Sequence, residues 1–288
     1  MSESTVPNTQ NLITVFKYPF TDPRWFQKML VGALLVLASM IIWVIPSVFV
    51  TGYLSRISRR IISGDGQAAL PEWDDWGKLF VDGIKLVGVS IIYSIPLLIS
   101  ILATYAMMFI PYIGMLSSMS DWSGHGMNNG FPGSFFLIFL MYPMMGVGIL
   151  ISLVTAVFLP PALMHVIARD SFSAGFHFSD WWKVFRANLG GFMIANLITL
   201  ANLTVLYLVT YILMMTIILG CLSPLVTIAT SIYLGALTFT LYAQAYRTGQ
   251  DKLTVMSSMI KTRNVEPSKK KTSDGATITK RKPRTTKE

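Results

Sequence analysis

Between Leu189 and Tyr246 the chain has no Asp, Glu, Lys, Arg or His. Three other stretches are equally free of charge: Met29–Ser55, Leu86–Ser120 and Gly126–Met164. A bilayer core needs about 20 apolar residues per helix, so the longest run alone holds two spans. Cysteine is nearly absent as well. With Cys221 alone no intrachain disulfide can form, and the redox compartment is not legible from it. No secretory leader is expected either, because the first apolar run lies well inside the chain, lacks a small-residue cleavage site and is long enough to remain a helix.

Chemistry is scarce in the same way. His125, His165 and His177 are the only histidines, and none has a second ligand at helical or loop spacing. Gly64-Asp65-Gly66 lacks the lysine and the strand–turn–helix setting of a phosphate loop, so it reads as a turn. There is no nucleophile elbow. No catalytic residue, metal or cofactor is therefore expected, and the protein reads as a non-enzyme. The apolar cores hold no ionisable residue, which argues against a proton-coupled pump or a charge-lined channel. A pathway for uncharged solutes stays open.

What is present is 53% hydrophobic residues against 13% charged ones, in continuous runs. In lipid every backbone amide needs an internal partner, which helices or closed barrels supply. A barrel would alternate in segments of about ten residues, so an all-α integral membrane protein is expected. The reading is a bundle of about five transmembrane helices, or six, with two short amphipathic interfacial helices in cytoplasmic loops. Residues 1–28 form an N-terminal interfacial segment, 29–247 the helical bundle, and 248–288 a basic disordered tail. Met29–Ile57, with Pro46 inside it, is read as one tilted span, the alternative being a bent hairpin that returns the N-terminus to the cytoplasm. Asp22 before Pro23 is a suitable helix start.

The net charge of +9 is concentrated at one end. From Arg247 onward there are twelve Lys/Arg against four Asp/Glu, which leaves eleven and ten in the rest of the chain. Beside a final transmembrane helix, anionic lipid headgroups are the nearest counter-charge for such a tail. Contact with ribosomes or nucleic acid is the runner-up. The loops at residues 111–133 and 219–224 carry no Lys or Arg, whereas those holding Trp76 and Trp181 do. Both Trp-bearing loops and the C-terminus are thus expected on the cytoplasmic side of the cell membrane.

A weak internal repeat links the two halves. Asp75-Trp76-Gly77-Lys78-Leu79-Phe80 reads against Asp180-Trp181-Trp182-Lys183-Val184-Phe185 as D-W-x-K-x-F, and Leu54, Ile57 and Arg60 fall opposite Leu163, Val166 and Arg169. In each copy the aspartate is expected to cap or open a short helix, the tryptophan (Trp76, Trp181) to anchor it among headgroups, and the lysine (Lys78, Lys183) to reach lipid phosphates. Arg56, Arg59 and Arg60 read first as topology determinants and second as a headgroup clamp. Asn196, Thr199, Asn202, Tyr207, Thr210 and Tyr211 form a polar arc on the fourth segment, either interhelical glue or the lining of a solute path.

Tyr18-Pro19-Phe20-x-Asp22-Pro23, Gly52-Tyr53-Leu54-x-Arg56, Leu70-Pro71-Glu72-Trp73-x-Asp75-Trp76 followed by Leu79-Phe80-x-Asp82-Gly83, and Tyr93-x-Ile95-Pro96 carry a resemblance. The chain up to about residue 247 resembles the largely archaeal multi-pass membrane proteins grouped as domain of unknown function 4013. That resemblance implies an integral membrane protein with no established activity and supplies no catalytic residues. From the residues themselves, the leading expectation is a scaffold or accessory protein binding lipids or membrane protein partners at its cytoplasmic face. A transporter or channel for an uncharged solute is the alternative, and a lipid-modifying enzyme a distant third.

Overall fold

The computed structural model describes residues 15–42, 44–64, 70–120 and 131–270. All regular structure among them is helical. A 3₁₀ turn at Tyr18–Phe20 leads into α1 (Trp25–Ser39) and α2 (Ile45–Ser63). Two long helices follow, α3 (Trp76–Ser120) and α4 (Phe131–Arg169). A 3₁₀ turn at Phe172–Phe176 and the short α5 (Phe178–Ala187) connect to α6 (Leu189–Met214). One turn of helix, α7 (Ile217–Gly220), precedes α8 (Ser223–Lys270). Four of these helices, α3, α4, α6 and α8, are long and apolar enough to cross a membrane.

The segment read as one tilted span is two helices. Pro46 sits in the first turn of α2, where its missing amide is harmless. α1 stops at Ser39, the chain turns through residues 40–42, and helix resumes at Ile45. The two helices lie against each other. Lys28, near the start of α1, lines the same cavity as Arg60, near the end of α2. The pair is therefore a hairpin, about 22 Å and 28 Å long in its two arms at 1.5 Å per residue. A single span would have placed Arg24 and Lys28 at the opposite end from Arg56, Arg59 and Arg60. Instead they share one.

Three further expectations change. Among the described residues the first Trp-bearing loop has no short helix of its own, because Trp76 begins the 45-residue α3. Only the second loop supplies one, α5, with Trp181, Val184 and Phe185 buried on one side and Asp180, Lys183 and Arg186 exposed on the other. At the C-terminus no break occurs at residue 247. α8 runs on to Lys270, so the first part of the expected disordered tail is helix, and residues 271–288 lie outside the described residues. The loop without Lys or Arg expected at 111–133 is partly helix too, since α3 continues to Ser120 and α4 begins at Phe131. The division expected near Gly220–Pro224 falls where α7 gives way to α8.

α8 is the spine. It packs against α1, α2, α4, α5 and α6, and its Leu237, Leu241, Ala243 and Tyr246 are buried with Met164, Val166, Trp181 and Phe192. A second core joins Tyr53, Leu54, Ile57, Leu70 and Leu79 to Ala236 of α8. Away from these cores the long helices present large apolar side chains outward, among them Leu102, Phe139, Leu150 and Leu197. Water would penalise that surface, whereas acyl chains solvate it.

Candidate functional site

Charge gathers at one end of the bundle, where α1 begins, α2 and α4 end, and α3 starts. The nucleus is Lys28, only 6% exposed. Its ammonium donates to Asp22 Oδ2 at 2.6 Å and to the Leu70 carbonyl at 2.7 Å, and it pairs with Glu72 Oε1 at 2.9 Å. An ammonium has three donors, so Lys28 is fully committed. Glu72 also takes a 2.6 Å hydrogen bond from Arg24 Nη2. Trp73 braces Lys28, with its indole donating to the Lys28 carbonyl at 2.9 Å and its ring stacked on Tyr53 at 3.9 Å. The Tyr53 hydroxyl donates to the Pro71 carbonyl at 3.0 Å. Burial pushes the Asp22 carboxyl up, but hydrogen bonds from Lys28 and the Arg24 amide, with the charges of both residues, outweigh it and hold the group below its ordinary range. A cavity of about 280 Å³ opens here, lined by Asp22, Arg24, Lys28, Arg60, Leu70 and Glu72.

A second charged group ties the two halves of the chain together. Arg59 pairs with Asp82 at 2.9 Å and with Asp170 at 3.2 Å, and Lys85 with Asp170 at 2.8 Å and Asp82 at 3.6 Å. The Lys85 hydrogen bond lowers the Asp170 carboxyl below its usual range; partial burial opposes this, and the charges of Arg59, Lys85 and Lys78 add to the lowering. Asp170 follows the last residue of α4 with φ of +51°, a left-handed conformation that aspartate tolerates better than most residues.

These networks engage several of the expected site residues. Arg56 is bound to the Asp74 carboxylate and to the Glu72 and Asp74 carbonyls. Arg59 is held by its two carboxylates. Of the three arginines, Arg60 is the one that lines the cavity. Asp75 does cap a helix, its carboxylate accepting from the Lys78 amide at 3.3 Å, but the helix is α3. Asp180 lies inside the first turn of α5, exposed, with Lys183 3.7 Å away on the same exposed face.

The matched tryptophans part company. Trp76 is 44% exposed and packs edge-on to Phe49, whereas Trp181 is 0% exposed between Phe158 and Phe178. Trp181 is a core residue rather than a headgroup anchor. Sequence spacing does not reveal the set Asp22, Lys28, Glu72 or the set Arg59, Asp82, Lys85, Asp170, because the hairpin and the ends of α3 and α4 bring distant segments together. His165 is likewise buried, its Nδ1 sharing a 2.6 Å hydrogen bond with the Tyr246 hydroxyl of α8.

The polar arc on α6 divides along the helix. Asn196 accepts from the Tyr242 hydroxyl of α8 at 2.8 Å, while Asn196 and Asn202 donate back to the Phe192 and Ile198 carbonyls of their own helix. Tyr207 and Tyr211 point away from the bundle, exposed and stacked on each other.

No curated protein and no solved structure matches the chain. A family model does, and its match begins within α1 and ends just past α6, short of the region up to residue 247 anticipated from the motifs. It takes in the whole of α2, the Leu70–Trp76 segment that floors the cavity, and both halves of the repeat. With residues 34–215 matched, this helical chain belongs to the family described as Protein of unknown function (DUF4013).

Proposed function

We propose that the protein is a multi-pass component of the cell membrane that carries out no chemistry of its own and acts as a scaffold or accessory protein. Its charged end, with both Trp-bearing segments and α8 beyond Arg247, faces the cytoplasm and gathers lipids or partner proteins there. One observation carries this reading: Asn196, Asn202 and Tyr242 inside the apolar part of the bundle are spent on helix-to-helix and intrahelical hydrogen bonds, whereas the charged cavity opens at the rim. Orientation rests on the Lys/Arg asymmetry of the loops.

Purification in mild detergent, followed by identification of what accompanies the protein, tests the proposal. Defined lipids or membrane proteins retained in stoichiometric amounts are the expected result. Protein that emerges bare, yet moves an uncharged solute across proteoliposomes, would replace the scaffold by a transporter.

A further inference from the structure

We propose that the cavity bounded by Arg24, Lys28 and Arg60 holds the phosphate of a membrane-lipid headgroup, an inference that rests on the lipid-gathering reading above and gives it a site. Three cations and two carboxylates line the space, so it carries a positive excess. Its volume of about 280 Å³ lies just below the range of about 300–1,000 Å³ typical of drug-sized ligands, which suits one compact polar group. Depth agrees. Phe20 and Phe26, both exposed, flank Arg24 in the chain, and Trp25 lies between them and packs against both. Aromatic rings of this kind concentrate where headgroups meet acyl chains.

The cations differ in what they can still do. Lys28 is saturated, and its pairing with the 3% exposed Asp22 is a fixed part of the wall. Arg24 is the opposite case. It is 65% exposed, and its contact with the half-exposed Glu72 is a surface ion pair, which is easily opened. A guanidinium has five donors in a planar fork that matches two phosphate oxygens. Arg24 thus turns from Glu72 to an arriving phosphate, while Arg60 supplies charge from the far wall. Glu72 is the built-in competitor, an anion occupying the place the ligand takes.

That competition gives the test a sign that damage to the fold does not mimic. Short-chain phosphatidylglycerol is titrated into the full-length protein in detergent, with inorganic phosphate as the second probe. Arg24→Gln/Arg60→Gln is expected to weaken lipid binding at least tenfold. Lys183→Gln/Arg186→Gln, an equal loss of charge on α5, should change it less than twofold. Glu72→Gln is expected to tighten it severalfold. Equal weakening by both double variants, or weakening by Glu72→Gln, would overturn the site. Inorganic phosphate binding as tightly as the lipid would overturn the headgroup in favour of a free anion. Helical content and melting of each variant are recorded alongside, so that a lost fold is not scored as a lost ligand. If the wild type carries other lipids or partners but binds no headgroup here, this site alone fails; if it carries none at all, the proposed function fails with it.

Discussion

At the scale of single residues, the two tryptophans of the D-W-x-K-x-F repeat show how one motif serves two environments. Trp181 fills the space between α4, α5 and α8, so Trp181→Ala should cost about 3–5 kcal/mol, the usual range for emptying a large aromatic site. Trp76→Ala should cost well under half of that, and thermal unfolding in detergent distinguishes the two. Equal losses would mean that the exposed ring is as structural as the buried one. The carboxylates give a pH dependence of definite sign. Asp22 and Asp170 are both held below their ordinary range in the fold, so the stability they contribute is complete above about pH 4 and lost as pH falls through the lower folded values. Melting temperature should be nearly flat from neutral to about pH 5 and drop below pH 4. Asp170→Asn, which keeps a side chain suited to the left-handed backbone, should lower the neutral melting temperature and make the acid decline shallower. A decline as steep as that of wild type would remove Asp170 from the account.

Among the elements, the crossing of α2 and α3 is the most exacting. A side-chain carbon on Gly52 would land on the Leu79 carbonyl oxygen, and one on Gly83 would land on the Val48 carbonyl oxygen. Neither obstacle is a flexible side-chain end; both are backbone. Gly52→Ala must therefore push the helices apart, and it should abolish a monodisperse detergent peak, whereas Gly146→Ala, with nothing within 4 Å of the added carbon, should leave it intact. These glycines belong to the motifs that carried the family resemblance, and the crossing gives a physical reason for their presence. The repeat is visible here too: the Val184 carbonyl, which matches that of Leu79, also meets a glycine, but Gly249 of α8 instead of a residue of α4.

Much of the element list was legible because charge-free runs have one stable answer in lipid. The α1–α2 hairpin was not, since Met29–Ile57 has a length that suits one tilted helix, and Pro46 is as compatible with a kink inside one helix as with the start of a second. The charged rim was illegible for the same reason: Lys28 and Arg60 look like opposite ends of one span until the chain is folded back. With the native Cys221 replaced by Ser, single cysteines at Thr21 and Ser63 should react with an impermeant maleimide from the same side of the membrane. Labelling from opposite sides would restore the single span.

For the whole molecule, the outward-facing apolar side chains of α3, α4 and α6 and the clustering of charge at one end define an axis. Loop charges then assign its direction: cysteines introduced at Asn128 and Ser268 should label from outside and inside the cell respectively. If Asn128 labels from the cytoplasm, the molecule is inverted, and the proposed platform faces away from cytoplasmic partners.

The continuity of α8 changes what its basic end can touch. A rod of 48 residues measures about 72 Å, more than twice the thickness of a bilayer's oily layer. Lys270 therefore stands about 35 Å beyond Arg247, several times the distance over which physiological salt lets a charged surface be felt, about 8 Å. A rod held upright on the bilayer would carry its tip beyond the leaflet's electrical reach, so for its basic end to meet headgroups the helix has to lean or bend after Arg247; upright, it is a mast held out toward whatever passes through the aqueous space.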